Sequence, residues 1–170
     1  MQIKSEEQLE KVLMTRLKKA LSRTLDRCLI ELQDIIERDV YNAYYGGWAE
    51  AGLRTYQFEE SFVKRRLKTS KNEIMGAIDQ NLSKMTIYRF SANGGESLSG
   101  IGVHYPDRKT LAQIIETGVG YHFGYAPARP YWTNFKLWMN RNFYVIFREE
   151  CAKLGIKGVI TNIQGANFVW

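Results

Sequence analysis

Cysteine and histidine are scarce in this sequence, and their scarcity excludes several kinds of site. Two cysteines, Cys28 and Cys151, cannot form the dense disulfide framework of a small secreted domain. Both fall in helical patterns, which suits buried thiols in a reducing compartment. The two histidines, His104 and His122, have no second metal ligand at the spacing of a zinc site. We therefore expect no metal and no cofactor.

Catalytic signatures and membrane-spanning runs are absent as well. The sequence has no GxSxG motif, no phosphate-binding GxxxxGK[ST] loop and no carboxylate pair in a catalytic setting. No apolar run approaches the roughly 20 residues that span a bilayer, and no signal peptide precedes the first charged helix. We expect a protein without enzymatic activity that is made in the cytoplasm and does not enter a membrane.

The sequence is rich in apolar and basic residues. Hydrophobic residues make up 45% and aromatic residues 13%, enough to fill the core of one domain, which we place at residues 1–155. The net charge of +6 suits an acidic partner, although a solvated lysine-rich surface explains it equally well. Residues 156–170 are apolar for a terminal segment, and we expect them to dock on the same chain or on a neighbour.

A long amphipathic helix is predicted from about residue 6 to residue 43. Ser5 and Gln8 form a capping box, and apolar residues then recur at steps of three and four. At 1.5 Å per residue this helix measures about 55 Å, so we expect part of it to project or to pack against a neighbouring subunit. Its N-terminal half carries the basic cluster from Lys11 to Arg27, and its C-terminal half carries Glu31, Asp34, Glu37 and Asp39, an order that opposes the helix dipole. That order indicates a negative partner or a solvated basic face.

Residues 62–80 are compatible with two helices or with a hairpin. Turn-forming residues at 69–72, and Gly76, which suits a helix poorly, favour the hairpin. The densest basic run of the chain lies here, at Lys64, Arg65, Arg66 and Lys68. Such side chains could contact phosphates by charge alone, as in a non-enzymatic DNA-binding accessory protein. The alternative, which we favour, is an edge strand that charge guards against aggregation.

The remaining pattern predicts a structural corner between two helices. Residues 85–90 and 101–105 are rich in strand formers, and a short helix follows at 108–117 with Gly118 as its left-handed terminator. Pro130 suits the first turn of a second long helix, predicted from Tyr131 to Leu154. The predicted fold is α+β, with long N-terminal and C-terminal helices packed on a small antiparallel β-sheet.

In this order the segments resemble the tail-component family of tailed bacteriophages and prophages. Members of that family are neck, head–tail joining, tail-completion or minor capsid proteins. Arg54 to Phe62 (RTYQFEESF) is similar to the family's Arg-Thr-Gly-x-Leu-x-x-Ser segment, which follows a long N-terminal helix. Ile115 to Gly118 (IETG), followed by ARPYW at residues 128–132, is similar to the family's Glu-x-Gly … Ala-Arg-Pro-Phe. The sequence departs from the family pattern at residues 56, 58 and 131, which are usually Gly, Leu and Phe.

The resemblance implies a structural protein of the virion at the head–tail interface, without catalysis. Its partners would be other copies of itself in a six-fold or twelve-fold ring, other neck and tail proteins, and packaged DNA through non-specific contacts. Arg129, held between two prolines, would pair with a carboxylate such as Glu116, while Ser61 would hydrogen-bond nearby backbone. The full set of implied corner and assembly residues is Arg54, Tyr56, Phe58, Ser61, Glu116, Gly118, Arg129, Pro130, Tyr131 and Trp132.

Overall fold

The protein is mixed α+β and mostly helical, as predicted. The structure is a computed structural model that describes residues 5–43, 57–70, 73–85, 108–118 and 128–158. Its helices are α1 (Glu6–Ile36), α2 (Gln57–Glu60), α3 (Arg108–Thr117) and α4 (Tyr131–Lys153). Its strands are β1 (Phe62–Lys64), β2 (Lys68–Thr69), β3 (Ile74–Met75) and β4 (Ile78–Gln80). They form two small antiparallel sheets, in which β1 pairs with β4 and β2 with β3.

Helix α1 begins at its predicted cap and ends earlier than predicted. The Ser5 hydroxyl oxygen accepts the N–H of Gln8 at 3.3 Å, which satisfies one of the first amides of the helix. The α-helix stops at Ile36 and a single π-helical turn, Glu37–Tyr41, follows. The N–H of Asn42 donates to the Glu37 carbonyl at 2.8 Å, so this bond joins residues five apart instead of four. The spacing of apolar residues alone does not reveal such a turn.

Residues 62–80 form the predicted hairpin. Lys68 pairs with Met75 and Thr69 with Ile74, and the N–H of Ser70 donates to the Glu73 carbonyl across the turn. A Cβ built on Gly76 would approach Leu25 Cδ1 to 2.4 Å and Leu67 Cδ2 to 2.6 Å. A side chain at residue 76 would therefore require the side chains of Leu25 and Leu67 to move.

Glycine ends both later helices, as predicted. Gly118 and Gly155 have φ angles of 71° and 76°, in the left-handed region that L side chains avoid. After α4 the N–H of Ile156 donates to the Cys151 carbonyl and that of Gly155 to the Ala152 carbonyl, both at 3.0 Å. This pair of bonds is a Schellman motif, and it satisfies two of the last carbonyls of the helix.

The chain divides into two compact units, each with its own buried side chains. The first unit comprises Met1–Leu32, Val63–Asp79 and Asn134–Trp170, and the second comprises Gln33–Phe62 and Gln80–Thr133. Buried residues of the first unit are Ala20, Thr24, Leu25, Cys28, Leu32, Phe135, Met139, Ile146, Glu150 and Cys151. Those of the second unit are Ile35, Ile36, Val40, Phe58, Ser61, Phe62, Met85, Ala112, Ile115, Glu116 and Tyr131.

Several sequence-based predictions fall on residues outside the described ranges. These are the strand at 85–90 apart from Met85, the strand at 101–105, the apolar tail from residue 159 onward, His104 and His122. The assignment of residues 1–155 to a single domain also stays a prediction. Among the described residues, no helix is long and apolar enough to cross a bilayer.

The Schellman motif predicts a position-specific effect of adding a methyl group at the end of α4. Gly155→Ala forces an L side chain into a left-handed backbone and should lower the free energy of unfolding by about 1 kcal/mol. Gly158→Ala is the matched control, because its Cβ would meet nothing within 4 Å and no positive φ is required there. Urea unfolding of the two variants tests this, and equal destabilisation would contradict it.

Candidate functional site at the corner between α3 and α4

The corner is organised by the buried carboxylate of Glu116, near the end of α3. One carboxylate oxygen, Oε2, accepts the backbone N–H of Trp132 at 2.9 Å. The other, Oε1, accepts the N–H of Thr133 at 3.0 Å and its hydroxyl at 2.6 Å. Both amides belong to the first turn of α4 and have no intrahelical partner. The negative charge also lies at the positive end of the helix dipole, so Glu116 caps α4 from another helix.

Two backbone hydrogen bonds also hold the corner together. The N–H of Arg129 donates to the Ile115 carbonyl at 2.9 Å, one of the last carbonyls of α3. The N–H of Tyr131 donates to the Arg129 carbonyl at 2.7 Å, a tight turn centred on Pro130. Pro130 thus lies immediately before the first residue of α4. Pairing of the Arg129 side chain with Glu116 stays a prediction.

Four aromatic side chains pack inside this corner. The ring of Tyr131 lies edge-on to Phe58 at 5.2 Å and to Phe62 at 6.0 Å between centroids. Phe62 also stacks on Trp132 at 6.1 Å, with 22° between the planes. Tyr131 is 2% exposed and Phe62 5%, so the cluster is largely desolvated. Pairs of this geometry stabilise by about 0.5–1.5 kcal/mol beyond the area that they bury.

Ser61 forms hydrogen bonds to the aromatic cluster and to the last residue of β4. Its hydroxyl donates to the Phe58 carbonyl at 2.6 Å, the nearby backbone bond that was expected. The same hydroxyl oxygen accepts the side-chain amide of Gln80 at 3.1 Å. Ser61 is fully buried, so both hydrogen-bonding capacities of its hydroxyl are used inside the protein.

The environment of Tyr131 does not favour proton transfer. Burial raises the pKa of its phenol well above the ordinary value, and the negative charge of Glu116 raises it further. The phenol therefore stays neutral at any physiological pH. Among the described residues, no group of three or more His, Cys, Asp or Glu side chains could hold a metal ion. The described corner has the features of a rigid structural joint.

The basic run is only partly available to a partner. The Lys64 ammonium donates to Ser22 Oγ at 2.9 Å and to Asp26 Oδ1 at 2.5 Å, and the Arg65 guanidinium pairs with Asp79. Arg66 and Lys68 are exposed. Two of the four predicted cations therefore have an acidic partner within the same unit.

An ion network around Glu150 was not predicted. The Glu150 side chain is 5% exposed, and its Oε1 accepts Nη1 of Arg27 at 3.3 Å and Nζ of Lys153 at 2.6 Å. Arg27 also reaches Glu149 at 2.7 Å, and Arg23 lies 3.9 Å from Glu150. Part of the negative partner expected for the basic half of α1 is therefore another helix of the same chain. The sequence signals for this network are a glutamate on the buried stripe of α4 and a lysine three residues after it.

The two cysteines are buried, as predicted. Cys28 is fully buried and Cys151 is 1% exposed. Desolvation is the main cause that raises the pKa of the Cys28 thiol to about 12, and it raises the pKa of Cys151 as well. Both groups are thus protonated at neutral pH, and a thiol in this state is a poor nucleophile.

Comparison with the models of known protein families, with curated proteins and with solved structures finds no match. The role of the corner is therefore argued from its own residues. Two predicted corner residues, Arg54 and Tyr56, lie outside the described ranges. The structure brings Phe58, Ser61, Glu116, Tyr131 and Trp132 together at the corner.

The cap on α4 predicts a graded effect of substitutions at Glu116. Glu116→Ala leaves two backbone amides and one hydroxyl in the first turn of α4 without their carboxylate acceptor and should lower the free energy of unfolding by about 2 kcal/mol. Glu116→Gln keeps one acceptor oxygen and should cost about half as much. Gln113→Ala, at an exposed position of the same helix, is the control and should stay within about 0.5 kcal/mol. Urea unfolding measures all three, and equal effects of the three substitutions would refute the cap.

The network around Glu150 predicts a pH dependence of stability. The hydrogen bond from Lys153 is the largest cause that lowers the pKa of Glu150 below its ordinary value of 4.5, and Arg27 acts in the same direction. A depressed carboxyl pKa stabilises the fold above the unfolded value, and this contribution is lost as the pH falls through the folded value. The loss should lie between about pH 5 and pH 3 and reach about 1 kcal/mol, because Arg27 and Lys153 are half-exposed.

Thermal unfolding as a function of pH tests this contribution. Glu150→Gln should lower Tm at pH 7 and flatten the fall of Tm between about pH 5 and pH 3 relative to the wild type. The control Glu10→Gln removes an exposed carboxylate and should leave the profile unchanged. A wild-type pH slope retained in Glu150→Gln would show that other groups cause it.

Proposed function

We propose that this protein is a structural component of a tailed phage or prophage virion. Its place is the neck, the head–tail connection or the tail-completion complex, and it acts there without catalysis. One observation carries the proposal: the two motifs that resemble the tail-component family pack against each other. Phe58 and Phe62, at the end of the first motif, contact Tyr131 and Trp132, at the end of the second.

The packing gives both motifs a shared physical role. The first motif supplies two aromatic rings and Ser61, and the second supplies the Glu116 cap and the two rings that open α4. In the described part of the two motifs, the Tyr131 phenol is neutral and the Glu116 carboxylate is occupied by backbone amides, so neither group is set up for catalysis. A rigid joint of this kind suits a subunit whose task is to hold position in an assembly.

A second observation supports assembly with other copies. The outward face of α4 carries exposed apolar side chains at Leu137, Tyr144 and Val145, with exposed fractions of 50%, 37% and 43%. Arg148 lies over the Tyr144 ring, with its guanidinium carbon 6.0 Å from the ring centroid. Tyrosine, arginine and exposed aliphatic residues along one helix face are typical of protein–protein contacts. We infer that this face contacts the next subunit of a ring.

The alternative, a DNA-binding accessory protein, has weaker support. Of the basic run only Arg66 and Lys68 are exposed without an acidic neighbour among the described residues, since Lys64 and Arg65 are paired. Two free cations give a weak, salt-sensitive attraction to phosphates and no sequence readout. Non-specific contact with packaged DNA is compatible with a neck subunit and does not require a dedicated DNA-binding role.

Native mass and imaging test the proposal. Purified protein over a concentration series should form closed rings with six-fold or twelve-fold symmetry, seen by native mass spectrometry and negative-stain imaging. Leu137→Asp combined with Val145→Asp should abolish the rings, because two charges would be buried at the contact. Gln8→Asp with Gln113→Asp adds two charges at exposed positions of α1 and α3, outside this face, and is the matched control.

The contradicting result separates the two functions. A protein that stays monomeric over the whole series, yet binds duplex DNA with an affinity that falls steeply with salt and depends on Arg66 and Lys68, would contradict the structural role. That outcome would support the DNA-binding alternative.

A further inference from the structure

Only part of the apolar stripe of α1 is buried in the described structure. Residues Ala20, Thr24, Cys28 and Leu32 lie on this stripe and are fully buried. The same steps of three and four continue toward the start of the helix, where no residue from 5 to 19 is buried. There Leu9 and Leu13 are 49% and 40% exposed.

The uncovered part of the stripe forms a contiguous surface. We define the N-terminal stripe by its apolar side chains Leu9, Val12, Leu13 and Leu17. Single exposed leucines are ordinary in proteins, but adjacent ones that extend a buried stripe indicate a missing cover. Fully burying one leucine side chain stabilises by about 1.5–3 kcal/mol, so a cover would be favoured.

The end of α4 approaches the side chain of Arg16, which projects from the same part of α1 as this stripe. A Cβ built on Gly155 would come within 3.6 Å of Nη1 of Arg16, whose position in α1 is between Leu13 and Leu17. The Schellman motif fixes the exit of the chain at this point, and the described residues continue only to Gly158. The chain that follows thus starts next to the uncovered stripe.

That following segment has the composition of a cover. Residues 159–170 (VITNIQGANFVW) contain no charged side chain and end in three large apolar ones, Phe168, Val169 and Trp170. At about 3.3 Å per residue they reach up to about 40 Å, whereas Leu9 to Leu17 spans only about 12 Å of helix. The aromatic rings could also stack on the exposed guanidinium of Arg16.

We propose that residues 159–170 dock on the N-terminal stripe of α1 in the same chain. The docked segment completes the apolar core of the first unit around the start of α1. The proposal is independent of any role in a virion, because it rests on the exposed stripe, the exit point of α4 and the uncharged composition of the segment.

Amide hydrogen exchange on the full chain tests the contact. Phe168→Asp, Val169→Asp and Trp170→Asp together should speed exchange of the amides of residues 9–17 by about tenfold or more, because the helix start loses its cover. Exchange of residues 24–35 should stay unchanged. The matched control places the same three charges at polar positions of the segment, Thr161→Asp, Asn162→Asp and Asn167→Asp, and should leave residues 9–17 protected.

Disulfide trapping distinguishes the same chain from a neighbour. Oxidation of Leu13→Cys with Phe168→Cys should give a monomer with an internal cross-link, visible as a mobility shift in a non-reducing gel. Ile30→Cys with Phe168→Cys is the control, because residue 30 is 57% exposed but about 25 Å further along the helix. A covalent dimer as the main product, or unchanged exchange in the triple variant, would overturn the proposal.

Discussion

The interaction on which the described corner depends is the capping of α4 by the Glu116 carboxylate. A helix start presents several amides without intrahelical partners, and Trp132 and Thr133 find theirs on a side chain from α3. Because this acceptor is charged and buried, it stabilises the amides, meets the helix dipole and fixes the position of the first turn of α4 against α3 at the same time. A local capping residue would satisfy the amides without fixing that position.

The aromatic cluster follows from the same constraint. Once the first turn of α4 is held, Tyr131 and Trp132 are placed where Phe58 and Phe62 can pack on them. The Ser61 hydroxyl donates to the Phe58 carbonyl and so holds the backbone of the cluster. Rings in these edge-on and stacked arrangements tolerate little displacement, since close packing makes small shifts costly. The corner therefore gives the second unit a closely packed joint, which suits the proposed role in an assembly.

Local chemistry made much of the fold predictable. Ser5, Gly118 and Gly155 have caps or terminators that act within a few residues, so the start of α1 and the ends of α3 and α4 could be located from the sequence. The hairpin was also predictable, because its turn residues are local. Glu150 was missed, because its partner Arg27 lies 123 residues away and no short pattern joins them. The π-helical turn was missed because a single wide turn leaves the apolar spacing nearly unchanged.

Amide exchange in the unmodified protein tests the central claim most directly. Amides in the first turn of a helix ordinarily exchange fast, because they have no intrahelical acceptor. Since Trp132 and Thr133 donate to a buried carboxylate, their exchange measured by NMR should be slowed to a degree similar to that of Met139, in the interior of α4. Exchange of these two amides at the rate of unprotected groups, with Met139 protected, would contradict the account.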